Sequence, residues 1–141
     1  MAKAQISMDL LFIAAVVLIL FLFLFQIYLQ RADSVRIFQS GLAAQRVADD
    51  IGRSIDHAWL GGNGSVSHAS LPESLPNGMA YNVSLRGRQV LVLYPAGAGT
   101  RVASYITSTS NVTAINFTLA PLGGGKALNV TNLNGSIVVV G

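Results

Sequence analysis

Six asparagines, Asn63, Asn82, Asn111, Asn116, Asn129 and Asn134, stand in N-x-S/T triplets, all beyond residue 60. The chemistry open to them is N-glycosylation, in which a side-chain amide nitrogen takes a glycan on a segment exported from the cell. The region is rich in Asn, Ser and Thr, which supplies some triplets by composition, but six is more than it readily gives. The bland alternative is a set of polar strand and turn residues that stay unmodified. Asn82 and Asn116 fall inside strand-like runs, so each needs its side chain on an outer face.

Other reactive groups are sparse. His57 and His68 are the only histidines. They share no carboxylate constellation beyond Asp56 and have no metal-ligand spacing, so no metal site is expected. Gly123-Gly124-Gly125-Lys126 has the outline of a phosphate loop, but Ala120 replaces the earlier glycine and Ala127 stands where Ser or Thr would ligate magnesium. Glu73 is the one carboxylate beyond residue 60, which rules out a two-carboxylate glycosidase site there. The absence of cysteine removes disulfides, thiolate metal sites and cysteine nucleophiles. An exported domain without disulfides must be held by its core, by assembly, or by both. The inventory supports no catalysis and requires no cofactor.

The elements that carry these residues are read from hydropathy. Leu10 to Phe25 contain no polar side chain, and the run continues past Gln26 to Leu29. At 1.5 Å per residue, about 20 helical residues reach roughly 30 Å, the thickness of a bilayer's hydrocarbon core. Asp9 sits at the leading edge and Lys3 before it, while Tyr28 and Arg31 suit the far interface. A secretory signal peptide has a shorter apolar core and a small-residue cleavage site after it, and neither holds here. A positive N-terminal charge favours a cytoplasmic start, placing the C-terminal domain outside. The net charge is +3, but the arginines at 31, 36, 46 and 53 are interleaved with Asp33, Asp49, Asp50 and Asp56. No contiguous basic stripe exists, so nucleic-acid binding is not expected.

Lys3-Ala4-Gln5-Ile6-Ser7-Met8-Asp9 resembles the class III signal peptide of archaeal type IV pilin-like proteins. The resemblance implies cleavage between Ala4 and Gln5 by a prepilin peptidase, with the apolar stretch kept on the mature protein. Asp9 becomes the fifth mature residue, where type IV pilins commonly carry an acid. It then pairs with the α-amino group of Gln5 on a neighbouring subunit and sets axial register, since an unpaired charge there is expensive. The alternatives are a helix N-terminal acid favoured by the macrodipole or an interfacial charge. Cyclisation of Gln5 to pyroglutamate would remove the amine. The resemblance also implies a pilus assembly ATPase and a polytopic membrane platform as partners. Leu10, Leu11, Phe12, Ile13, Val16, Val17, Leu20, Phe21, Leu24 and Phe25 would form the core of a helical homopolymer.

From Arg31 to about Leu60 there is no proline, and Ile37, Gly41, Ala44, Ala48, Ile51, Ile55 and Ala58 recur at alternating steps of four and three. That is an apolar stripe at helical spacing, with small residues at its middle that permit close approach. The charges at 36, 46, 49, 50, 53 and 56 read as a solvated face, with Arg46–Asp50 and Arg53–Asp49 spaced to pair. Gly61-Gly62 ends the helix, and Trp59 is expected to anchor its end. Strand-like runs follow at 79–85, 89–94, 102–106, 112–119, 127–130 and 136–140. Arg86-Gly87-Arg88 and Asn134-Gly135 read as hairpin turns, and Leu75-Pro76-Asn77-Gly78 as a turn entering the sheet.

The expectation is an α+β, type IV pilin-like fold: a long helix, apolar then amphipathic, packed on an antiparallel sheet of four to six strands. Its segments are a leader at 1–4, a membrane and filament-core helix at 5–30, its amphipathic continuation at 31–60, and an extracellular β domain at 61–141. The expected function is that of a structural subunit of an archaeal type IV pilus-like surface filament, glycosylated and with a role in adhesion. The precursor would be a single-pass membrane protein and the assembled form an extracellular filament. A minor pilin or pseudopilin, and a non-polymerising membrane-anchored binding domain, are the alternatives.

Overall fold

The computed structural model describes the backbone of residues 2–113, 115–119 and 126–140, and the side chains of 8–113 and 127–140. The protein is α+β. One helix, α1, runs over Ala2–Leu60, and seven strands follow among the described residues: β1 (Val66–Leu71), β2 (Tyr81–Arg86), β3 (Gln89–Ala96), β4 (Gly99–Ile106), β5 (Ile115–Leu119), β6 (Lys126–Leu133) and β7 (Ser136–Val140). The chain divides into two compact units, Met1–Val35 and Arg36–Gly141.

In the first unit α1 has no proline to interrupt its ladder. In the second unit α1 continues to Leu60 and stops where glycine can take a left-handed backbone. Gly61 N–H donates to the His57 carbonyl at 2.9 Å, and Gly62 follows with φ of 79°, as a helix C-terminus favours.

The strands form two antiparallel sheets, β1-β6-β7 and β4-β3-β2-β5, where a single sheet was expected. The β2–β3 and β6–β7 hairpins turn where the sequence marks them. Gly87 has φ of 56°, and Asn134 and Gly135 have φ of 52° and 78°, the latter pair matching a type I′ turn. The expected strand at 112–119 is narrower. Val112 makes only an isolated parallel bridge to Ile137, and Ala114 lies outside the described residues. That bridge joins the segment after β4 to the edge of the other sheet, through Thr113 N–H to Ile137 O and Ile137 N–H to Asn111 O, both 2.8 Å. β1 was not expected. Its sequence, VSHASL, is polar-rich and only Ala69 and Leu71 turn inward, so an edge strand on β6 has weak alternation to read.

The core of the second unit is a single cluster. Ala44, Ala48, Ile51, Ile55 and Ala58 of the helix meet Val83, Leu85, Val90, Val92 and Tyr94 of one sheet and Leu128, Val130, Ile137 and Val139 of the other. Five of the seven expected stripe positions are therefore buried, while Ile37 and Gly41 are half-buried. Val47 joins the core from between Arg46 and Ala48, because a helix wedged against two sheets buries a wider arc than one stripe. Trp59 is 36% exposed and lies outside this cluster. The helix end is held instead by Ala58, whose carbonyl accepts from Asn132 Nδ2 at 3.3 Å.

Candidate assembly surface and second-unit clasps

Every residue from Met8 to Arg31 is exposed. Leu10 and Phe12 are 70% and 72% exposed, and Leu11, Ile13, Val16, Val17, Leu20, Phe21, Leu24 and Phe25 all present their side chains outward. Phe21 and Phe25, one helical turn apart, stack with ring centroids 6.3 Å apart. Because the apolar residues surround the helix, there is no polar face to leave in water. A helix apolar all round is stable only where other apolar matter covers it. Its backbone groups are bonded internally, as lipid or a packed bundle requires. The helix is long and apolar enough to cross a membrane. Asp9 is exposed at the rim of this surface. The side chains of Ala4 and Gln5 lie outside the described ones.

The second unit positions its helix by seating two tyrosines on two glycines. The Tyr94 Oη lies 3.0 Å from where a Cβ on Gly41 would stand, and the Tyr105 ring fills the place of a Cβ on Gly52. Gly41 belongs to the small-residue stretch that the stripe reading assigned to close approach. Gly52 does not, because one position off the stripe it has no periodicity to mark it.

Tyr105 continues from Gly52 to Asp56. Its Oη–H donates to Asp56 Oδ2 at 2.9 Å, while Ser108 N–H and Oγ–H donate to Asp56 Oδ1 at 2.7 and 2.6 Å. The expectation that Asp56 belongs to a solvated charged face is corrected here: it ties the last turns of α1 to the segment after β4. Asp49 also has a defined partner, accepting from Gln45 Nε2 at 2.8 Å. Burial would raise the Asp56 carboxyl, but donation from Ser108 and Tyr105, with the charge of His57, outweighs it and holds the group below its ordinary 3.8. The same bond, with desolvation, raises the Tyr105 phenol. Burial pushes Tyr81 up to about 12, with its hydroxyl donating to the Pro72 carbonyl.

A carboxyl whose pKa is lowered on folding adds stability above its unfolded value, and that stability is lost as pH falls through the folded value. Asp56→Ala is therefore expected to cost about 1–2 kcal/mol at pH 7. The difference from the unsubstituted protein should shrink once pH falls below 3.8. Urea midpoints at pH 7 and pH 3 measure this, and equal differences at both would remove the charge from the account.

The sequons fall into distinct environments. Asn63 and Asn134 bond to each other, Asn111 Nδ2 donates to Gly135 O, and Asn129 Oδ1 lies 2.7 Å from His68 Nδ1. Asn82 is half-buried on β2, and its Oδ1 has no partner among the described residues. It borders a shallow groove of about 290 Å³ also lined by Ala80, Tyr81, Leu93, Tyr94, Pro95 and Thr100. The β5 backbone sets Asn116 opposite Ser84, and its side chain lies outside the described ones, as does the segment 120–125. His68 is engaged with Asn129, and its carbonyl accepts from Ser54. No cluster of metal-ligating side chains occurs among the described residues. No family model, no curated protein and no solved structure matches this chain.

Proposed function

We propose that this chain is the structural subunit of an archaeal type IV pilus-like surface filament with a role in adhesion. One observation carries the reading most: an exposed helical segment apolar on every face, with a single carboxylate at its rim, joined to a unit that buries its own core. The second unit forms its core from its own residues, so the apolar segment is free to meet other matter. Before assembly that matter is lipid. After assembly it is the same segment of other copies, with burial worth about 25 cal/mol per Å² relative to water.

The Lys3-Ala4-Gln5 leader supports processing between Ala4 and Gln5 by a prepilin peptidase, which removes the Lys3 charge that holds the N-terminus at the cytoplasmic face. Lipid and neighbouring helices are nearly equivalent surroundings for an apolar helix. Extraction therefore needs work from outside the chain, supplied in this reading by an assembly ATPase acting through a membrane platform. The β unit is extracellular and carries N-glycans on some of its sequons.

Electron microscopy of sheared surface material, with N-terminal sequencing, tests the proposal. Filaments whose subunits begin at Gln5, free or cyclised, are expected. Material that is monodisperse in detergent with Met1 to Ala4 still attached would overturn it in favour of a plain membrane anchor.

A further inference from the structure

Among the described residues, two of the six sequons are joined asparagine to asparagine, and Asn111 reaches the same hairpin through Gly135 O. The turn after α1 carries Asn63-Gly64-Ser65 and the β6–β7 hairpin carries Asn134-Gly135-Ser136. Asn63 Oδ1 accepts from Asn134 N–H at 2.8 Å, and Asn63 Nδ2 donates to Asn134 Oδ1 at 3.1 Å. The backbone N–H of Asn134 can only donate, so the atom of Asn63 that faces it is the oxygen. This fixes which way the Asn63 amide points. Around the pair, Gly64 N–H donates to Asn132 O, Asn132 N–H donates to Ser65 O, and Gly135 N–H donates to Asn132 Oδ1. The helix end is thereby laced to the hairpin.

The two asparagines are not equivalent. Both bonds made by Asn63 leave one edge of its amide, so the hydrogen it uses is the one on the side of its own oxygen. A glycosylated asparagine is a secondary amide, which prefers the trans arrangement for the reason peptide bonds do. In that arrangement the sugar carbon occupies the oxygen's side of the nitrogen, where Asn63 holds the hydrogen given to Asn134. A glycan on Asn63 and the clasp exclude each other. Asn134 contributes its backbone N–H and its Oδ1, while its Nδ2 has no partner among the described residues and its side chain is exposed. It also stands at a hairpin tip, with φ of 52°.

We propose that Asn134 is a glycan acceptor and that Asn63, in a second Asn-Gly-Ser triplet of its own, is a latch that stays unmodified. The inference rests on the filament reading only in that this reading exports the unit to a glycosyl transferase. The donor is a lipid-phosphate-linked oligosaccharide. The Asn134 Nδ2–C1 bond forms and the sugar C1–O bond to phosphate breaks. The electron pair stays on the phosphate, and one amide proton passes to the transferase or solvent. Asn134 Oδ1, which accepts from Asn63, is not consumed in the transfer.

The test maps glycopeptides on the full-length protein isolated from its own cells, with Ser136→Ala and Ser65→Ala variants beside it. Each variant removes one sequon and leaves both asparagines in place. Glycan is expected at Asn134 and not at Asn63. Ser136→Ala should lose one glycan's mass from the hairpin peptide, and Ser65→Ala should lose none. Glycan on Asn63, a mass loss in Ser65→Ala, or a bare Asn134 overturns the assignment. Asn63→Ala should lower the unfolding midpoint by about 4–8 °C, and an unchanged midpoint overturns the latch. Micrographs of the same samples keep the two readings apart: filaments with bare Asn134 sink this assignment alone, and glycosylated protein that never polymerises sinks the filament reading alone.

Discussion

Asp9→Ala is expected to reduce filament yield by about tenfold or more while leaving the cut between Ala4 and Gln5 intact. On the proposed reading, the carboxylate meets the α-amino group that cleavage creates on a neighbouring Gln5. Both charges then lie at the rim of an apolar surface that starts at Leu10. Removing one member of a desolvated pair leaves the other uncompensated, at roughly 3–5 kcal/mol for a fully buried pair. Even a third of that is a factor of about ten in an association constant, and the loss recurs at every subunit added. The cut is made on the monomer in the membrane, before any pairing, so it should be unaffected. Mass spectrometry of membranes reads the cleavage, and quantified sheared material reads the yield. A normal yield of normal filaments would reduce Asp9 to an interfacial or helix-terminal charge.

Gly52→Leu is expected to destabilise the second unit by roughly 1–3 kcal/mol net of the helix propensity gained. Part of this is overpacking, typically about 1–3 kcal/mol, because a side chain at 52 would stand where the Tyr105 ring lies. The ring is displaced from its root, since its Cγ is among the atoms met, so rotating its far end does not relieve the clash. The rest is loss of the Tyr105–Asp56 hydrogen bond, about 1 kcal/mol. Replacing a helical glycine returns less than about 1 kcal/mol of propensity, so the sign is destabilising. Urea unfolding of the full chain in detergent measures it. Repeating Gly52→Leu in a Tyr105→Ala background should recover most of the loss, because the ring is gone. Equal costs in the two backgrounds would show that the tyrosine does not set the requirement for glycine.

Stretches that carry a long, regular pattern were legible without coordinates. A run of sixteen residues without a polar side chain can only be a segment that avoids water. Ala44, Ala48, Ile51, Ile55 and Ala58 announce a buried helix face by spacing alone. Gly62 and Asn134-Gly135 mark turns because few other residues accept positive φ. These signals are local: each lies within one element and depends on backbone geometry or period.

Pairing across distance was not legible. Nothing in the order of strands says that β6 and β7 stand apart from β2–β5 and build a second sheet with β1, because any alternating strand can pair with several others. β1 itself buries only Ala69 and Leu71, too little for a period to emerge. Asp56 has the same sequence context as the charges around it. Only the position of Ser108 and Tyr105, about fifty residues away, sets it apart. Likewise six sequons look alike in the chain, and the contact between Asn63 and Asn134 distinguishes them. The sequence by itself determined the apolar helix, its continuation and the turns, since those follow from short-range sterics and hydropathy. The tertiary structure alone decided which polar groups meet, since a hydrogen bond between residues 71 positions apart depends on every element that folds between them.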